Sequence, residues 1–186
     1  MSFIFDGIRK AIELLFPVDA ELLSIIKLSL FVSFFAMIIA AGIGIPLGSI
    51  IAIKKFPGRK LIIAFINTGM GLPPVVVGLV VTLFLARSGP LGRLHWLYTP
   101  QGMILGQVII ATPIIMGLSL AGMQSVDEKL YRQILCLGAT TGQALWVLWK
   151  EIRLSLLAGI IAGFGSIISE VGAVMMIGGN IKHQTR

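Results

Sequence analysis

Few side chains in this chain could do chemistry, and their placement says of what kind. Glu170 is the one ionisable residue inside the apolar run Leu154–Gly179. A charge in such surroundings is costly and must face a bundle interior or water and find a partner. Serines occur in the apolar runs, but a nucleophile needs a base beside it. His95 and His183 both lie outside those runs, so an intramembrane hydrolase is disfavoured. Cys136 is the only cysteine, which excludes an intrachain disulfide and a Cys-based metal site, and two histidines make no ligand cluster. No GxxxxGK[ST] phosphate loop is present, so ATP is not hydrolysed by that route. What remains is a set of uncharged hydrogen-bonding groups: Asn67, Thr68, Thr82, Gln107, Thr112 and Ser166, with Pro73-Pro74 among them. Prolines remove backbone donors, and freed backbone at membrane depth is tolerated where it is buried in protein or lines a cavity. Such groups hold or pass a ligand; they do not cut bonds. A packing kink with ordinary intrahelical Ser/Thr bonds accounts equally well for any one of them.

The elements that must position these residues follow from composition. Of 186 residues 56% are hydrophobic and 12% charged, and mean hydropathy is +0.98. A soluble domain carries roughly 25% charged residues, so a soluble globular enzyme is excluded. The net charge of +7 does not indicate nucleic acid, because the basic residues lie between long apolar runs and form no face of their own. The solvent is a bilayer, whose core of about 30 Å needs roughly 20 apolar residues in helical form. Four stretches meet this: Leu28–Ile53, Leu61–Ala86, Met103–Met123 and Leu154–Gly179. The expected fold is therefore an all-α integral membrane protein with spans over about 26–53, 61–86, 102–123 and 154–179. Residues 2–16 place Ile4, Ile8, Ala11, Ile12 and Leu15 on one helical face and Asp6, Arg9, Lys10 and Glu13 on the other. That pattern, too short to span, predicts an interfacial helix within residues 1–20.

Positive residues set orientation. Lys54, Lys55, Arg59 and Lys60 fall in one turn without an acid, and Lys129, Arg132, Lys150 and Arg153 fall in the segment 125–153. Both are expected in the cytoplasm, with the N-terminus outside. The turn 87–101 carries only Arg87 and Arg93, suited to an anion or to an acidic protein rim. Glycine is abundant: 22 residues, where average usage of about 7% gives roughly 13. The pairs Gly44/Gly48, Gly102/Gly106 and Gly159/Gly163 are spaced for close helix approach.

The segment 125–153 is polar enough to leave the membrane yet helical in pattern. Leu130, Ile134 and Leu137 are expected on one face, Gly138 interrupts, and a second apolar stretch runs from Ala144 to Trp149. A helix–turn–helix between two spans suits docking into a soluble partner; a membrane-parallel piece with no partner is the alternative. The run Tyr131–Thr140 resembles the cytoplasmic "EAA" loop of binding-protein-dependent ABC transporter permeases, with Gly138 at the motif glycine. Arg132, Gln133 and Ile134 occupy the E-A-A places, and Lys150 and Glu151 stand where Leu and Pro are usual. Ser169-Glu170-Val171-Gly172-Ala173, then Gly179-Asn180-Ile181 and Thr185-Arg186, is similar to a signature of the molybdate, tungstate and sulfate permeases. Asn67–Leu79 with Arg87–Gly92 is most similar to the tungstate branch.

The resemblance covers roughly residues 20–186 and implies a permease domain over 21–186 that is not itself catalytic. It implies a bacterial or archaeal cell membrane, import of an oxyanion such as tungstate, and no cofactor or metal. Molybdate or sulfate is the alternative substrate, and a structural anchor subunit is a reading from another class. The implied partners are a separate ATP-binding cassette ATPase, an extracytoplasmic oxyanion-binding protein, a second permease copy and membrane lipid; nucleic acid is not among them. Tyr131, Arg132, Ile134, Leu137, Gly138, Ala139 and Thr140 would couple to the ATPase. Asn67, Thr68, Pro73, Pro74, Gln107, Thr112 and Ser166 would line the pathway, since a desolvated oxyanion needs uncharged donors. Glu170, Gly172 and Asn180 would be structural or gating residues, with Glu170 holding the external segment near Asn180 and Lys182 by a hydrogen bond. Permeases of this group usually carry a further span after the last motif, so the chain is expected to be C-terminally truncated.

Overall fold

The computed structural model describes Asp6, residues 20–182, Gln184 and Thr185. The interfacial helix expected within residues 1–20 thus falls almost wholly outside the described residues, as does Arg186. The described residues form eight helices and no strand: α1 (Ala20–Ile53), α2 (Arg59–Met70), α3 (Pro74–Leu85), α4 (Pro100–Gln124), α5 (Glu128–Cys136), α6 (Thr141–Glu151), α7 (Arg153–Ile168) and α8 (Gly172–Gly178). A short 3-10 turn, Gly92–Leu94, lies in the connection between α3 and α4. Two helices, α1 and α4, are long and apolar enough to cross a membrane alone, and two bent pairs raise the number to as many as four.

α4 is the centre. It starts on Pro100, whose missing N–H is harmless in a first turn, with Thr99 Oγ1 accepting the Gly102 N–H at 3.4 Å. α1 lies parallel to it: Gly44 faces Ile115 and Met116, and Gly48 faces Met116 and Ser119. α7 runs antiparallel on another side, with Gly159 at Leu118 and Gly163 at Ile115 and Ala111. The pair Gly102/Gly106 serves the same purpose, receiving Ile177 of α8. All three glycine pairs sit where a neighbouring element comes closest, as their spacing suggests. The core between these helices is built from small and branched side chains, Ala36, Ala40, Ile110, Ala111, Ile115, Ile167 and Ala173.

The second expected span, Leu61–Ala86, is not one helix. It breaks into α2 and α3, bent by 103°, each of twelve residues or about 18 Å. Pro73 and Pro74 would leave two carbonyls of the preceding turn without donors and clash with them. The chain instead leaves the helix at Gly71, and Pro74 opens a new one at its first position. The pair still traverses the bundle. Arg59 at the start of α2 donates to Ile51 O and Ala52 O at the end of α1, at 2.7 and 2.9 Å. Gly69 reaches Pro113 midway along α4, and Val81 and Leu85 of α3 reach Ile177 and Leu105 near its start.

The fourth expected span, 154–179, is likewise interrupted. α7 ends at Ile168, and α8 begins at Gly172 after Ser169, Glu170 and Val171. α8 continues past α4 in the same direction, with Ala173 against Gly78 and Gly178 against Met103. α6 meets α7 at 76° and packs with Met123, at the end of α4. That end, which gathers Lys54, Lys55, Arg59, Lys60, Lys129, Arg132, Lys150 and Arg153, is called the basic end below.

The approach of α1 to α4 yields a direct expectation. A Cβ on Gly48 would lie 2.5 Å from the Met116 carbonyl oxygen, whereas one on Gly42 would meet nothing within 4 Å. Gly48→Ala should therefore destabilise the bundle by about 1–3 kcal/mol. Gly42→Ala should be neutral or slightly stabilising, since Ala is the better helix former by about 1 kcal/mol. Thermal unfolding in detergent micelles reads both, and equal melting temperatures would refute the packing argument.

Candidate functional site

The segment between α4 and α7 is built by local sequence. Asp127 opens α5, its carboxylate accepting the Lys129 N–H at 2.9 Å. Gly138 closes it with φ +85°, in open space. The Ala139 N–H reaches Ile134 O at 3.4 Å and the Gly138 N–H reaches Leu135 O at 3.0 Å. This is the Schellman arrangement, whose left-handed residue is usually glycine. Two residues on, Thr140 caps α6: the Thr140 N–H donates to Gln143 Oε1 at 2.8 Å, and the Gln143 N–H donates to Thr140 Oγ1 at 3.4 Å. The reciprocal pair satisfies two otherwise orphaned donors. The helix–turn–helix is therefore as expected, with Gln143 an added determinant.

Its inner face is apolar. Ile134, Ala144, Leu148 and Ile152 are buried with Met123, and Leu130, Tyr131 and Ala139 pack beside them. Leu137 does not join them. It was expected on the face of Leu130 and Ile134, but it stands after the last helical residue and is 88% exposed. The turn into Gly138 swings it outward, so Leu137 and Gly138 form an exposed edge with Arg132 and Thr140.

Two contacts across long stretches of chain tie this segment to the bundle. Trp149 Nε1 on α6 donates to Ser49 Oγ on α1 at 2.9 Å, and the Ser49 hydroxyl donates to Ile45 O at 2.7 Å. Ser49 is fully buried. Lys55, in the turn after α1, places Nζ 3.0 Å from Glu128 Oε1, and Arg132 Nη2 lies 3.0 Å from the same oxygen. The hydrogen bonds from Lys55 and Arg132, with their positive charge, hold the Glu128 carboxyl below its ordinary value of 4.5. Neither contact is visible as a motif; a polar residue in α1 and an indole in an apolar run were the available signals.

The residues expected to line a pathway do not share one surface. Asn67 and Thr68 are exposed on α2, and Thr68 Oγ1 donates to Ala64 O at 2.9 Å. Pro73 is exposed and Pro74 half-buried at the α2–α3 bend. Thr112 Oγ1 donates to Val108 O at 2.6 Å, inside its own helix, and Ser166 is half-buried on α7. Gln107 is buried at 3% exposure, its Nε2 donating to Ile167 O at 3.4 Å while Oε1 has no partner among the described residues.

Gln107 instead shares a cavity of about 220 Å³ with Glu170 and Asn180, lined also by Ser29, Ser33 and Thr185. The cavity sits at the break between α7 and α8. Gln107 serves a carbonyl at the end of α7, and Glu170 Oε1 accepts the Ala173 N–H at 2.9 Å, capping α8. Glu170 thus binds the first turn of α8. The segment 178–185 is tied by Thr185, whose Oγ1 donates to Gly178 O at 2.5 Å and accepts the Ile181 N–H at 2.9 Å. Gly172 lets Val75 approach this cap, and Asn180 follows Gly179 with both in left-handed geometry, φ 51° and 72°. No group of three or more His, Cys, Asp or Glu residues occurs among the described residues.

The pH response of the Lys55–Glu128–Arg132 contact follows from its sign. A carboxyl held below its unfolded pKa contributes stability above that pKa and loses it as pH falls through the lowered, folded one. Amide protection of α5, corrected for intrinsic exchange, should be steady near neutral pH and decline progressively as pH falls through and below 4.5. Glu128→Gln should lower protection at pH 7 and shrink that decline. Equal protection at pH 7 and the same acid decline in both proteins would contradict the assignment.

A family model described as binding-protein-dependent transport system inner membrane component matches residues 44–185. A probable anion ABC transporter permease protein of Haloferax volcanii is 41% identical over 160 residues, covering 86% of this chain and 69% of that protein. A tungstate uptake system permease protein of Peptoclostridium acidaminophilum is 40% identical over 186 residues, all of this chain and 82% of that protein. Its counterpart from Campylobacter jejuni is 33% identical, again over the whole chain and 78% of the relative. Together with the all-helical, lipid-suited bundle, these matches assign the protein: it belongs to the permease subunits of binding-protein-dependent ABC transporters, multi-pass transport components of the cell membrane and not enzymes.

Proposed function

We propose that this chain is the permease subunit of a tungstate uptake system. The observation that carries the reading is 40% identity along its whole length to a permease of that substrate, backed by 33% to a second. A tetrahedral dianion leaving water needs uncharged donors along its path. Asn67 fits this role. Its side chain is exposed on a helix that is otherwise apolar at that depth, and an unsatisfied amide facing hydrocarbon costs several kcal/mol. The side of α2 bearing Asn67 therefore belongs on the pathway or against a second permease copy, not against lipid.

In this reading the basic end is cytoplasmic, and residues 21–186 form one permease domain with four crossings: α1, α2 with α3, α4, and α7 with α8. The edge Arg132, Leu137, Gly138 and Thr140 docks into a groove of a separate ATPase, and Tyr131, Ile134 and Ala139 support it from beneath. Closure of the ATPase on ATP moves the segment. Trp149–Ser49 and Lys55–Glu128 pass that displacement to α1. An external binding protein delivers the oxyanion at the opposite end, where Arg87 and Arg93 lie.

Two measurements test this. In cells whose own uptake systems are deleted and which carry the complete transporter, tungstate uptake should persist in a tenfold excess of molybdate or sulfate. Full inhibition by either would transfer the substrate assignment to that anion. For coupling, Gly138→Arg should lower uptake at least tenfold while ATPase activity in proteoliposomes loses its response to the loaded binding protein. Gly138→Asn, which tolerates positive φ, should retain most of both. Unaltered uptake and stimulated ATPase activity in Gly138→Arg would rule out docking at this edge.

A further inference from the structure

The turn between α1 and α2 is more rigidly held than its exposure suggests. Arg59 donates to the last carbonyls of α1 through Nε and Nη2, Lys55 is fixed on Glu128, and Gly58 turns the chain at φ +87°. The remaining cations of the turn, Lys54 and Lys60, are exposed, and their ammonium groups have no hydrogen-bond or ion-pair partner among the described residues. An open cleft of about 440 Å³ is lined by Lys55, Phe56, Gly58, Arg59, Lys60 and Leu61. Directly along α2 from Lys60, Leu61 is 77% and Phe65 80% exposed. Four residues apart, they share one face.

We infer that this turn is a binding site for an anionic phospholipid, its phosphate in the cleft at Lys60, with Lys54 adding charge from the same turn, and its acyl chains lying on Leu61 and Phe65. Position decides the occupant. The cleft lies where α1 ends and α2 begins, so ammonium groups stand at the hydrocarbon boundary with an apolar strip leading inward from them. A soluble anion would use the charges and leave the strip uncovered. A zwitterionic lipid would cover the strip and bring no net charge. An anionic lipid satisfies both, and basic residues beside a span attract such headgroups. The inference goes beyond transport and is independent of which oxyanion is carried.

Native mass spectrometry of the purified chain, offered equimolar dioleoyl phosphatidylglycerol and dioleoyl phosphatidylcholine, provides the test. Each basic residue near an anionic surface is worth about fivefold in affinity. Lys54→Gln/Lys60→Gln should therefore weaken phosphatidylglycerol binding about 20- to 30-fold, at unchanged helicity by circular dichroism. Arg87→Gln/Arg93→Gln, at the opposite end, should bind it like the wild type. Phe65→Ser should weaken binding of both lipids. Equal retention of the two lipids by the wild type, or an equal loss in the Arg87/Arg93 variant, would overturn the site. Displacement of phosphatidylglycerol by 10 mM inorganic phosphate would also overturn it, in favour of a small-anion site.

Discussion

Everything in this bundle depends on how near other backbones can come to α4. Lipid is as apolar as leucine, so nothing expels these helices onto one another as water would; dispersion at close range does the holding. α1 brings Gly44 and Gly48 to Ile115 and Met116, and α7 brings Gly159 and Gly163 to the side running from Leu118 to Ala111. Ile177 of α8 sits where Gly106 leaves room. With three partners in register on one helix, the position of every other feature is set along α4. Gln107 comes level with the end of α7, and Met123 comes level with the segment that packs beneath it.

Breaking a helix at membrane depth is the second constraint, and the chain meets it in two ways. Between α2 and α3 it removes donors: Pro73 and Pro74 have no N–H to leave unsatisfied, and Pro74 occupies a position where none is needed. Between α7 and α8 the N–H groups remain and must be answered. Glu170 answers that of Ala173, and Gln107 reaches the carbonyl of Ile167. A carboxyl side chain is tolerated at this cap because the break opens a cavity lined by Ser29, Ser33, Asn180 and Thr185 instead of hydrocarbon. The single intramembrane acid is thus part of the architecture of a discontinuous helix.

This also marks what sequence reasoning can and cannot reach. The apolar runs located the helices long and apolar enough to cross a membrane, two alone and up to four with the bent pairs, and Gly138 with Thr140 located the turn, because both signals are local. The same runs read 61–86 and 154–179 as unbroken, since hydropathy sums composition and takes no account of which backbone groups find partners. The Pro-Pro pair announced the first break. The second is written in Ser169-Glu170-Val171-Gly172, where only the cap geometry distinguishes a helix end from a polar residue within a helix. Leu137 was misplaced because periodicity was extended one residue past the last helical position. Ser49 with Trp149, and Gln107 with Glu170, lie too far apart in the chain for spacing to join them.

The tertiary contacts divide the molecule in a way that bears on coupling. Trp149 and Lys55–Glu128 fasten the helix–turn–helix segment to the last turns of α1 and the turn after it, and α1 is locked to α4 along Gly44 and Gly48. These contacts tie the segment, α1 and α4 into one unit. α7 leaves the segment through a 76° corner at Ile152, and α2 meets α4 by the contact of Gly69 with the ring of Pro113. That contact is smooth and carries no hydrogen bond, in contrast with the Arg59 clamp at the other end of α2. In the function proposed above, a pull on the helix–turn–helix segment would be resisted at the basic end of α2 and relieved at its bend. The proposed pathway residues Asn67 and Thr68 stand on the turn of helix next to that bend. In the function proposed above, the exposed polar face of α2 would be the surface that shifts when the ATPase closes, with the moving part and the uncharged donors on the same half-helix.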